Sequence, residues 1–351
     1  MRTVGFLIPG DLGLPTGGYA YDRALLAHLP AFGVAPIHVE LSGRFPDPTA
    51  ADLAACAARV AALPEGTPVL VDGLAYGAMP TDLIRAFGRP VVALCHHPLA
   101  LESGLSAERV ARLRASETRA LALARRVIVT SPATGRLLVE AFAVPADRIA
   151  VAPPGTVPKP RATGSGGPGV EILAVGAVVP RKGYDLLIAA LSRLVDRDWR
   201  LAIVGAEREP EHRDLLDARI AAAGLGERVR FRGAVDEVDL DALIGRADLF
   251  VSASHFEGYG MALAEAMRRG VAIVTTTGGA ATETVPEGAG LKVPAGDATG
   301  LSAALGRCLD DTGLRRDLAA AAYAAGRALP SWEATAHIVA TVLEEAAETG
   351  A

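Results

Sequence analysis

The stretch from Ala247 to Met267 most constrains the fold of this chain. Its first part, Leu249 to Ala253, is a short apolar run that predicts a buried parallel strand. From Met261 onward the stretch is rich in Ala, Leu, Met and Glu, which favour helix. A polar, glycine-containing turn lies between the two. Because such a turn falls at the carboxyl edge of a sheet, where open α/β folds bind ligands, we expect a binding site there.

The turn offers both backbone amides and carboxylates to a ligand. The first amides of the helix have no intrahelical partner and can hold a phosphate or a sugar hydroxyl. Gly258 and Gly260 carry no β-carbon, which lets a ligand approach the backbone. Glu257 and Glu265 would repel a phosphate and are suited to accept hydrogen bonds from hydroxyls. The pattern therefore favours a ligand with a diphosphate and sugar rings over two solvated glutamates at a helix start.

The run from His255 to Met261, followed by Glu265, resembles the Glu-x7-Glu motif of retaining GT-B glycosyltransferases of family 4. The resemblance covers nearly the whole chain, and its most specific motifs lie in the second half. It implies two Rossmann-like α/β domains with parallel sheets that face a cleft. It also implies transfer of a sugar from a UDP-sugar or GDP-sugar to an acceptor hydroxyl, with retention at the anomeric carbon.

Strand and helix patterns alternate twice along the chain and are separated by one linker, which predicts two α/β domains. The N-terminal, acceptor-side Rossmann-like domain is predicted over residues 1–157. Residues 158–169 are dense in Pro, Gly and Ser and predict a linker. The C-terminal, nucleotide-sugar-binding domain is predicted over 170–329. In the resembled fold the last helix, here 330–351, crosses back to the first domain.

Two adjacent cations, Arg181 and Lys182, lie in a glycine-containing turn after the strand predicted at Val170–Val175. Lys as a point charge and Arg as a fork of donors both suit a diphosphate, although an exposed basic turn is an alternative. The resembled family commonly has Gly-Arg-x-x-Pro-x-Lys-Gly here. Ala177 stands where its first Arg would be, so it is open whether Arg181 substitutes for that cation.

The first half of the chain contributes a second glycine-rich helix start and a strand that ends in two histidines. Gly17 and Gly18 precede a helix predicted from Tyr19. They do not form Gly-x-Gly-x-x-Gly, so a dinucleotide site is only weakly indicated, and an ordinary tight turn is an alternative. In the resembled family the double glycine faces the donor diphosphate or the acceptor. His96 aligns with the family histidine near the transferred sugar, and His97 is the weaker candidate.

The resemblance assigns roles to these residues. The cations and the amides from Gly258 to Met261 would stabilise charge on the leaving diphosphate. Glu265 would hold the ribose, Glu257 would orient the transferred sugar, and the nucleobase would lie near Val235. The candidate catalytic residues are Glu257, His96 and Lys182. The candidate donor-binding residues are Gly17, Gly18, Arg181, Lys182, Gly205, Val235, Glu257, Gly258, Tyr259, Gly260, Met261 and Glu265.

No separate general base is assigned, because in this family the departing phosphate is generally held to take the acceptor's proton. No cofactor or metal is expected. The chain lacks a convincing Asp-x-Asp, and cations and amides can replace a divalent ion at the phosphate. Closure of the two domains is expected to accompany binding.

Composition excludes several other functions. The chain has 35 Lys and Arg against 40 Asp and Glu, so no basic field indicates nucleic acid. Three widely separated cysteines indicate neither a disulfide framework nor a zinc site, which fits the cytoplasm. We expect neither a signal peptide nor a membrane-spanning helix. The Arg-rich helix predicted from Ser106 to Arg126 leaves peripheral contact with the inner face of a membrane open, beside the commoner explanation of a solvated face.

Two other classes of protein share these features. A GT-B-like nucleotide-sugar epimerase would convert the donor without an acceptor. A non-catalytic, two-lobed nucleotide-sugar-binding protein would bind the donor without turnover. For a transferase, a lipid, a glycan or a small molecule would all fit as acceptor, and oligomeric state is unassigned.

Overall fold

The computed structural model describes residues 2–102 and 104–348. The chain divides into two compact units, of which unit 1 runs to Gly155 and resumes at Pro330, and unit 2 is Thr156–Leu329. Within the described residues each unit contains a six-stranded sheet whose neighbouring strands are all parallel. The predicted α/β class with two Rossmann-like domains is therefore confirmed.

Unit 1 alternates strands with helices along its first 155 residues. Its strands are β1 (Arg2–Pro9), β2 (Val34–Leu41), β3 (Val69–Asp72), β4 (Val91–Cys95), β5 (Arg126–Val129) and β6 (Ile149–Val151). Its helices in this part are α1 (Gly17–His28), α2 (Ala50–Ala61), α3 (Gly73–Tyr76), α4 (Thr81–Ala86), α5 (Ala107–Leu121) and α6 (Pro132–Phe142). The sheet order is β2-β1-β3-β4-β5-β6, so the order reverses between β1 and β3.

Unit 2 has the same alternation. Its strands are β7 (Val170–Val175), β8 (Trp199–Val204), β9 (Val229–Phe231), β10 (Leu249–Ser252), β11 (Ala272–Thr276) and β12 (Leu291–Val293). Its helices are α7 (Tyr184–Leu191), α8 (Pro210–Ala222), α9 (Glu237–Arg246), α10 (Met261–Arg269), α11 (Ala281–Thr284), α12 (Ala298–Asp310) and α13 (Thr312–Arg327). The order is β12-β11-β10-β7-β8-β9, and it reverses between β7 and β10.

A last helix, α14 (Trp332–Glu348), belongs to unit 1. Val339 and Leu343 are buried in the apolar cluster that also contains Phe6 and Ile8 of β1. The hydroxyl of Thr335 donates to the carbonyl of Pro153, at 2.6 Å. The core of unit 1 is therefore completed by residues from both ends of the chain.

The central strands are continuous apolar runs because both faces of each sheet are covered. In β3, Val69, Leu70 and Val71 are fully buried, and in β10 Leu249 to Val251 are at most 1% exposed. Since every side chain along these runs is inside, an apolar stretch predicts the strand but not what each of its two faces packs against.

Two predicted segments differ from the structure or are refined by it. The helix predicted over Ser106–Arg126 ends at Leu121, because Arg126 already begins β5. Residues 158–169 contain neither helix nor strand. They nevertheless lie along unit 2, where the amides of Ala162 and Thr163 donate to the carbonyls of Arg269 (2.7 Å) and Gly245 (3.0 Å).

A membrane-crossing helix was not expected from the sequence. In residues 2–102 and 104–348, every helix falls short of the length and apolar character needed to span a membrane.

Candidate functional site

Two loops of unit 2 meet where the strand order reverses. One follows β7 and contains the short 3₁₀ turn Pro180–Lys182, and the other follows β10. The amide of His255 donates to the carbonyl of Arg181 at 2.8 Å. The Arg181 guanidinium donates to the carbonyl of Phe256 at 2.9 Å. Because the loops lie at the carboxyl ends of parallel strands at a switch point, they occupy the usual ligand position of this class of sheet.

The two loops also exchange a buried ion pair. Nζ of Lys182 donates to Oε1 of Glu257 at 2.7 Å, and the hydroxyl of Ser254 donates to the same oxygen at 2.6 Å. Burial alone would raise the pKa of Glu257, but the charges of Lys182 and Arg181 and the two hydrogen bonds lower it. Glu257 is therefore held as a carboxylate. The sequence indicated Lys182 and Glu257 separately and gave no sign that they pair.

Ser254 was not identified from the sequence. It is 1% exposed and lies just beyond the end of β10. A serine directly after a buried strand is a signal that could have pointed to it, since this is where ligand-facing side chains emerge from a parallel sheet.

Glycine is required where these loops pack. Gly183 has φ 63°, and a β-carbon there would lie 2.2 Å from the carbonyl oxygen of Ala253. Gly260 has φ 93°, and a β-carbon would lie 2.9 Å from Cδ1 of Leu263. Gly205 follows β8, where a β-carbon would lie 2.0 Å from the carbonyl oxygen of Gly176. Gly183 and Gly205 allow backbone segments to approach at the carboxyl edge of the sheet, and Gly260 provides the positive φ at the start of α10.

Helix α10 begins at Met261, and Gly260 at its N-cap makes no side-chain hydrogen bond to the helix amides. The first amides of a helix have no intrahelical acceptor, and the helix dipole adds partial positive charge there. The preceding turn is braced by the neighbouring loop: the amide of Ala280 donates to the carbonyl of Glu257, and the hydroxyl of Thr284 donates to the carbonyl of Tyr259. A helix start with uncapped amides can accept an anion.

Glu265 lies in α10 and is partly buried. Burial, and then the negative charge of Glu237, raise its pKa to about 7. Val235 lies half-buried between β9 and α9. Unit 2 thus contains the candidate donor-binding residues from Arg181 to Glu265. Direct hydrogen bonds join the loop after β7 to the loop after β10.

Unit 1 has its own polar group near its strand reversal. Nε2 of His96, just after β4, lies 3.2 Å from Oδ1 of Asp22 in α1 and 3.3 Å from Oδ2 of Asp72 at the end of β3. The other oxygen of Asp72 accepts the amide of Leu74 at 2.8 Å. One nitrogen of His96 and one oxygen each of Asp22 and Asp72 lie within 4.8 Å of one another, close enough in principle to hold a metal ion. Hydrogen bonding between the imidazole and the carboxylates explains why these atoms are so close.

Electrostatics in this group favour charge on the histidine. Burial lowers the pKa of His96, but hydrogen bonds to Asp22 and Asp72, and their charges, raise it overall. Burial and the charge of Asp72 raise the pKa of Asp22. Neither aspartate was identified from the sequence as a candidate site residue. Asp22 interrupts the buried face formed by Tyr21 and Leu25, a position where a charged residue usually has a buried partner.

The other candidates of unit 1 lie at the start of α1 and just after β4. Gly17 and Gly18 form the first turn of α1, with Thr16 as N-cap, so the helix begins two residues before the predicted Tyr19. A β-carbon on Gly18 would lie 3.5 Å from Cδ2 of His96. Nε2 of His97 lies 4.0 Å from Oε2 of Glu102.

Comparison with known proteins adds to this geometry. Residues 159–325 match the family described as "Glycosyl transferases group 1", and residues 23–159 match "Glycosyltransferase Family 4". The chain is 30% identical to the MMP alpha-(1->4)-mannosyltransferase of Mycolicibacterium hassiacum, over 75% of this chain and 67% of that protein. It is 33% identical to the D-inositol 3-phosphate glycosyltransferase of Nocardia farcinica, over 68% of this chain and 56% of the relative. The chain thus spans between about half and two thirds of the length of these relatives.

Among solved structures, Anabaena HepE in complex with UDP-glucose is similar, with a TM-score of 0.78 and 20% identity. The likeness covers 99% of both chains. At this identity it concerns the fold, which agrees with the two parallel-sheet units.

Proposed function

Since the chain belongs to the GT-B glycosyltransferases of family 4, we propose that it transfers a hexosyl group from a nucleoside-diphosphate sugar to an acceptor hydroxyl, with retention at the anomeric carbon. The observation that carries the proposal is in unit 2. There the cationic loop after β7 is hydrogen-bonded to the loop that leads into α10.

The diphosphate of the donor is assigned to the start of α10 and to Lys182. Helix amides and an ammonium group both stabilise negative charge without rearranging during the reaction. Lys182 is 16% exposed and Glu257 9%, so the pair lies in an environment where charge interactions are stronger than in water. The ammonium has three protons to donate and can hold a phosphate oxygen while it keeps Glu257.

The two glutamates are assigned to hydroxyl groups. Glu257 is kept ionised by its partners, which suits it to accept hydrogen bonds from the transferred sugar. Glu265, further along α10, is assigned to the ribose hydroxyls. In unit 1, His96 is assigned to a contact with the transferred sugar, as the family motif implies.

The leaving diphosphate carries the growing charge, and we assign its stabilisation to Lys182, Arg181 and the α10 amides. We assign acceptance of the acceptor's proton to the departing phosphate and therefore name no separate base. We likewise propose that no metal is needed, because Lys182, Arg181 and the first amides of α10 can replace a divalent ion at the phosphate.

The donor is proposed to be a UDP-sugar or a GDP-sugar. The solved structure of HepE contains UDP-glucose, and the Mycolicibacterium relative is named a mannosyltransferase. The acceptor is proposed to be a lipid, a glycan or a small molecule.

The test is a donor panel. The protein is incubated with UDP- and GDP-sugars, and release of the free nucleoside diphosphate is followed. We expect slow hydrolysis of one donor class, and Glu257→Ala should lower kcat far more than donor affinity. Glu287→Ala is the control, because that side chain is fully exposed. With an acceptor in hand, the anomeric proton of the product reports retention.

Other results would overturn the assignment. Conversion of the donor sugar into its epimer, without release of nucleotide, would indicate an epimerase. Donor binding without turnover under any acceptor condition would indicate a binding protein.

A further inference from the structure

Three elements of unit 1 converge on one imidazole. Asp22 comes from α1, Asp72 from the end of β3, and His96 from the residue after β4. The side chains of Asp22 and Asp72 are 0% and 5% exposed, and that of His96 is 21% exposed. Two carboxylates inside the unit thus share one ring that still reaches its surface.

Both carboxylates lie next to the same ring nitrogen, Nε2. An Nε2–H that donates to them leaves Nδ1 as the ring's other polar atom. Two buried carboxylates without a cation would be strongly unfavourable, whereas an imidazolium between them satisfies their charge in part. The remaining oxygen of Asp22 has no hydrogen-bond partner within residues 2–102 and 104–348.

The ring is also held in place by its apolar and backbone neighbours. The ring of Tyr21 meets it edge-on, with centroids 5.1 Å apart, and Trp332 packs in the same manner on Tyr21. The Thr130 hydroxyl donates to the carbonyl of His96, at 3.5 Å. Gly18 lies beside the ring, where a β-carbon would be 3.5 Å from Cδ2.

We propose that Asp22 and Asp72 are positioning residues that hold His96 as an imidazolium, with Nε2–H toward the carboxylates and Nδ1–H left to donate to an oxygen of the bound sugar substrate. This rests on the proposed function. In this state His96 is a fixed cationic donor and has no lone pair with which to accept a proton.

The charged and titratable groups around the ring agree with this state. Burial lowers the pKa of His96, but the hydrogen bonds and charges of Asp22 and Asp72 raise it overall. Burial and the charge of Asp72 also raise the pKa of Asp22, to about 7. Tyr21 is neutral, since burial raises its pKa. The neighbouring thiol of Cys95 is also kept neutral by burial and by the charges of Glu117 and Asp72, which raise its pKa.

The direct test is NMR of protein labelled with ¹⁵N-histidine, with His96 assigned from the spectrum of His96→Gln. We expect imidazolium shifts at His96 up to at least pH 8 in the native sequence. Asp72→Asn should move the midpoint of the His96 titration down by about 1 to 3 pH units, because an opposite charge has been removed. Asp82→Asn, whose side chain is 96% exposed on α4, should leave it unchanged.

Asp22→Asn provides a second variant of nearly the same shape and is expected to act in the same direction. A His96 midpoint near its ordinary value of 6.5 in the native sequence would overturn the proposal. So would a native-like midpoint in both folded variants. Stoichiometric binding of Zn²⁺ that is abolished in Asp22→Asn would overturn it too, by giving the three side chains a different purpose.

A kinetic experiment distinguishes failure of the proposal for His96 from failure of the proposed function. With the donor found by hydrolysis, Asp72→Asn should lose about tenfold in kcat/KM at pH 8 and recover much of it at pH 6, where His96 regains its proton. A merely structural defect would lower activity at both pH values alike. If no donor is turned over by the native sequence, the proposed function fails, while the NMR titration still decides the charge state of His96.

Discussion

Nζ of Lys182 and Oε1 of Glu257 lie 2.7 Å apart, although 75 positions separate them in the chain. Each therefore neutralises the other in unit 2 before any ligand arrives. A diphosphate that binds at Lys182 adds negative charge to this pair, so the proposed donor site has its cation already oriented.

Removing Lys182 should destabilise unit 2. Lys182→Ala leaves Glu257 buried without its cation, and breaking one side of a buried pair typically costs about 3 to 5 kcal/mol. We expect a lower midpoint in urea unfolding and loss of nucleotide binding. Arg200→Ala is the control, because the Arg200 side chain is 64% exposed.

The double variant Lys182→Ala with Glu257→Gln should regain part of the lost stability, since it no longer buries an unpaired charge. It should not regain nucleotide binding. If the single Lys182 variant unfolds like the native sequence, the ion pair has no energetic role.

Replacing Gly260 should damage the start of α10. Gly260→Ala places a β-carbon on a residue with φ 93° and against Leu263, which should destabilise the protein by about 1 to 3 kcal/mol. Gly288→Ala is a matched control: its φ is 78°, and a β-carbon there meets nothing within 4 Å. Only Gly260→Ala should weaken UDP or GDP binding, as measured by calorimetry. Equal affinity in the two variants would contradict the assignment of the diphosphate to this helix.

Glu117 should make stability depend on pH. It is 2% exposed, accepts the amide of Leu99 at 3.2 Å, and burial raises its pKa from 4.5 to about 7. A raised carboxyl pKa gives stability that is present below pH 4.5 and is lost as the pH rises through about 7. Relative to the native sequence, Glu117→Gln should gain up to about 3 kcal/mol in the free energy of unfolding between pH 4.5 and pH 8.

The measurement is urea unfolding of both proteins at several pH values. Glu117→Gln can still accept the Leu99 amide, so the comparison isolates the charge. A constant difference between the two proteins across this range would show that Glu117 does not titrate there.

Glu265 should make nucleotide affinity depend on pH. Its pKa is raised to about 7, whereas ribose hydroxyls donate best to the ionised carboxylate. Affinity for UDP or GDP should therefore rise several-fold from pH 6 to pH 8. The phosphate groups of the nucleotide also titrate in this range and change its affinity for both proteins equally. The pH dependence of affinity in Glu265→Gln is therefore the control against which the native protein is compared. Identical pH profiles would remove Glu265 from the binding site.

The sequence predicted the fold well because buried parallel strands are continuous apolar runs. Val69–Val71 and Leu249–Val251 could be placed without knowing their neighbours. The turn from Glu257 to Gly260 was also placed correctly between β10 and α10. These features depend on residues close together in the chain.

The partners of the site residues could not be predicted in the same way. Asp22 and His96 are 74 positions apart, and only the packing of α1 on the sheet brings them together. The end of the helix predicted over Ser106–Arg126 was misplaced for a similar reason, because Arg126 pairs with β4 as the first residue of β5. The pairs of Asp22 with His96 and of Lys182 with Glu257 join residues that are distant in sequence, whereas the missed Ser254 lies three positions from Glu257.

The placement of α14 in unit 1 has a consequence for synthesis on the ribosome. Phe6 and Ile8 are made before unit 2, but Val339 and Leu343, which cover them, are translated only after all of unit 2. At ~5–20 residues per second, the nascent first unit waits roughly 10 to 40 seconds with this apolar surface uncovered. Unit 2, which is continuous in the chain, can complete its core earlier, so the portion made first is the portion finished last.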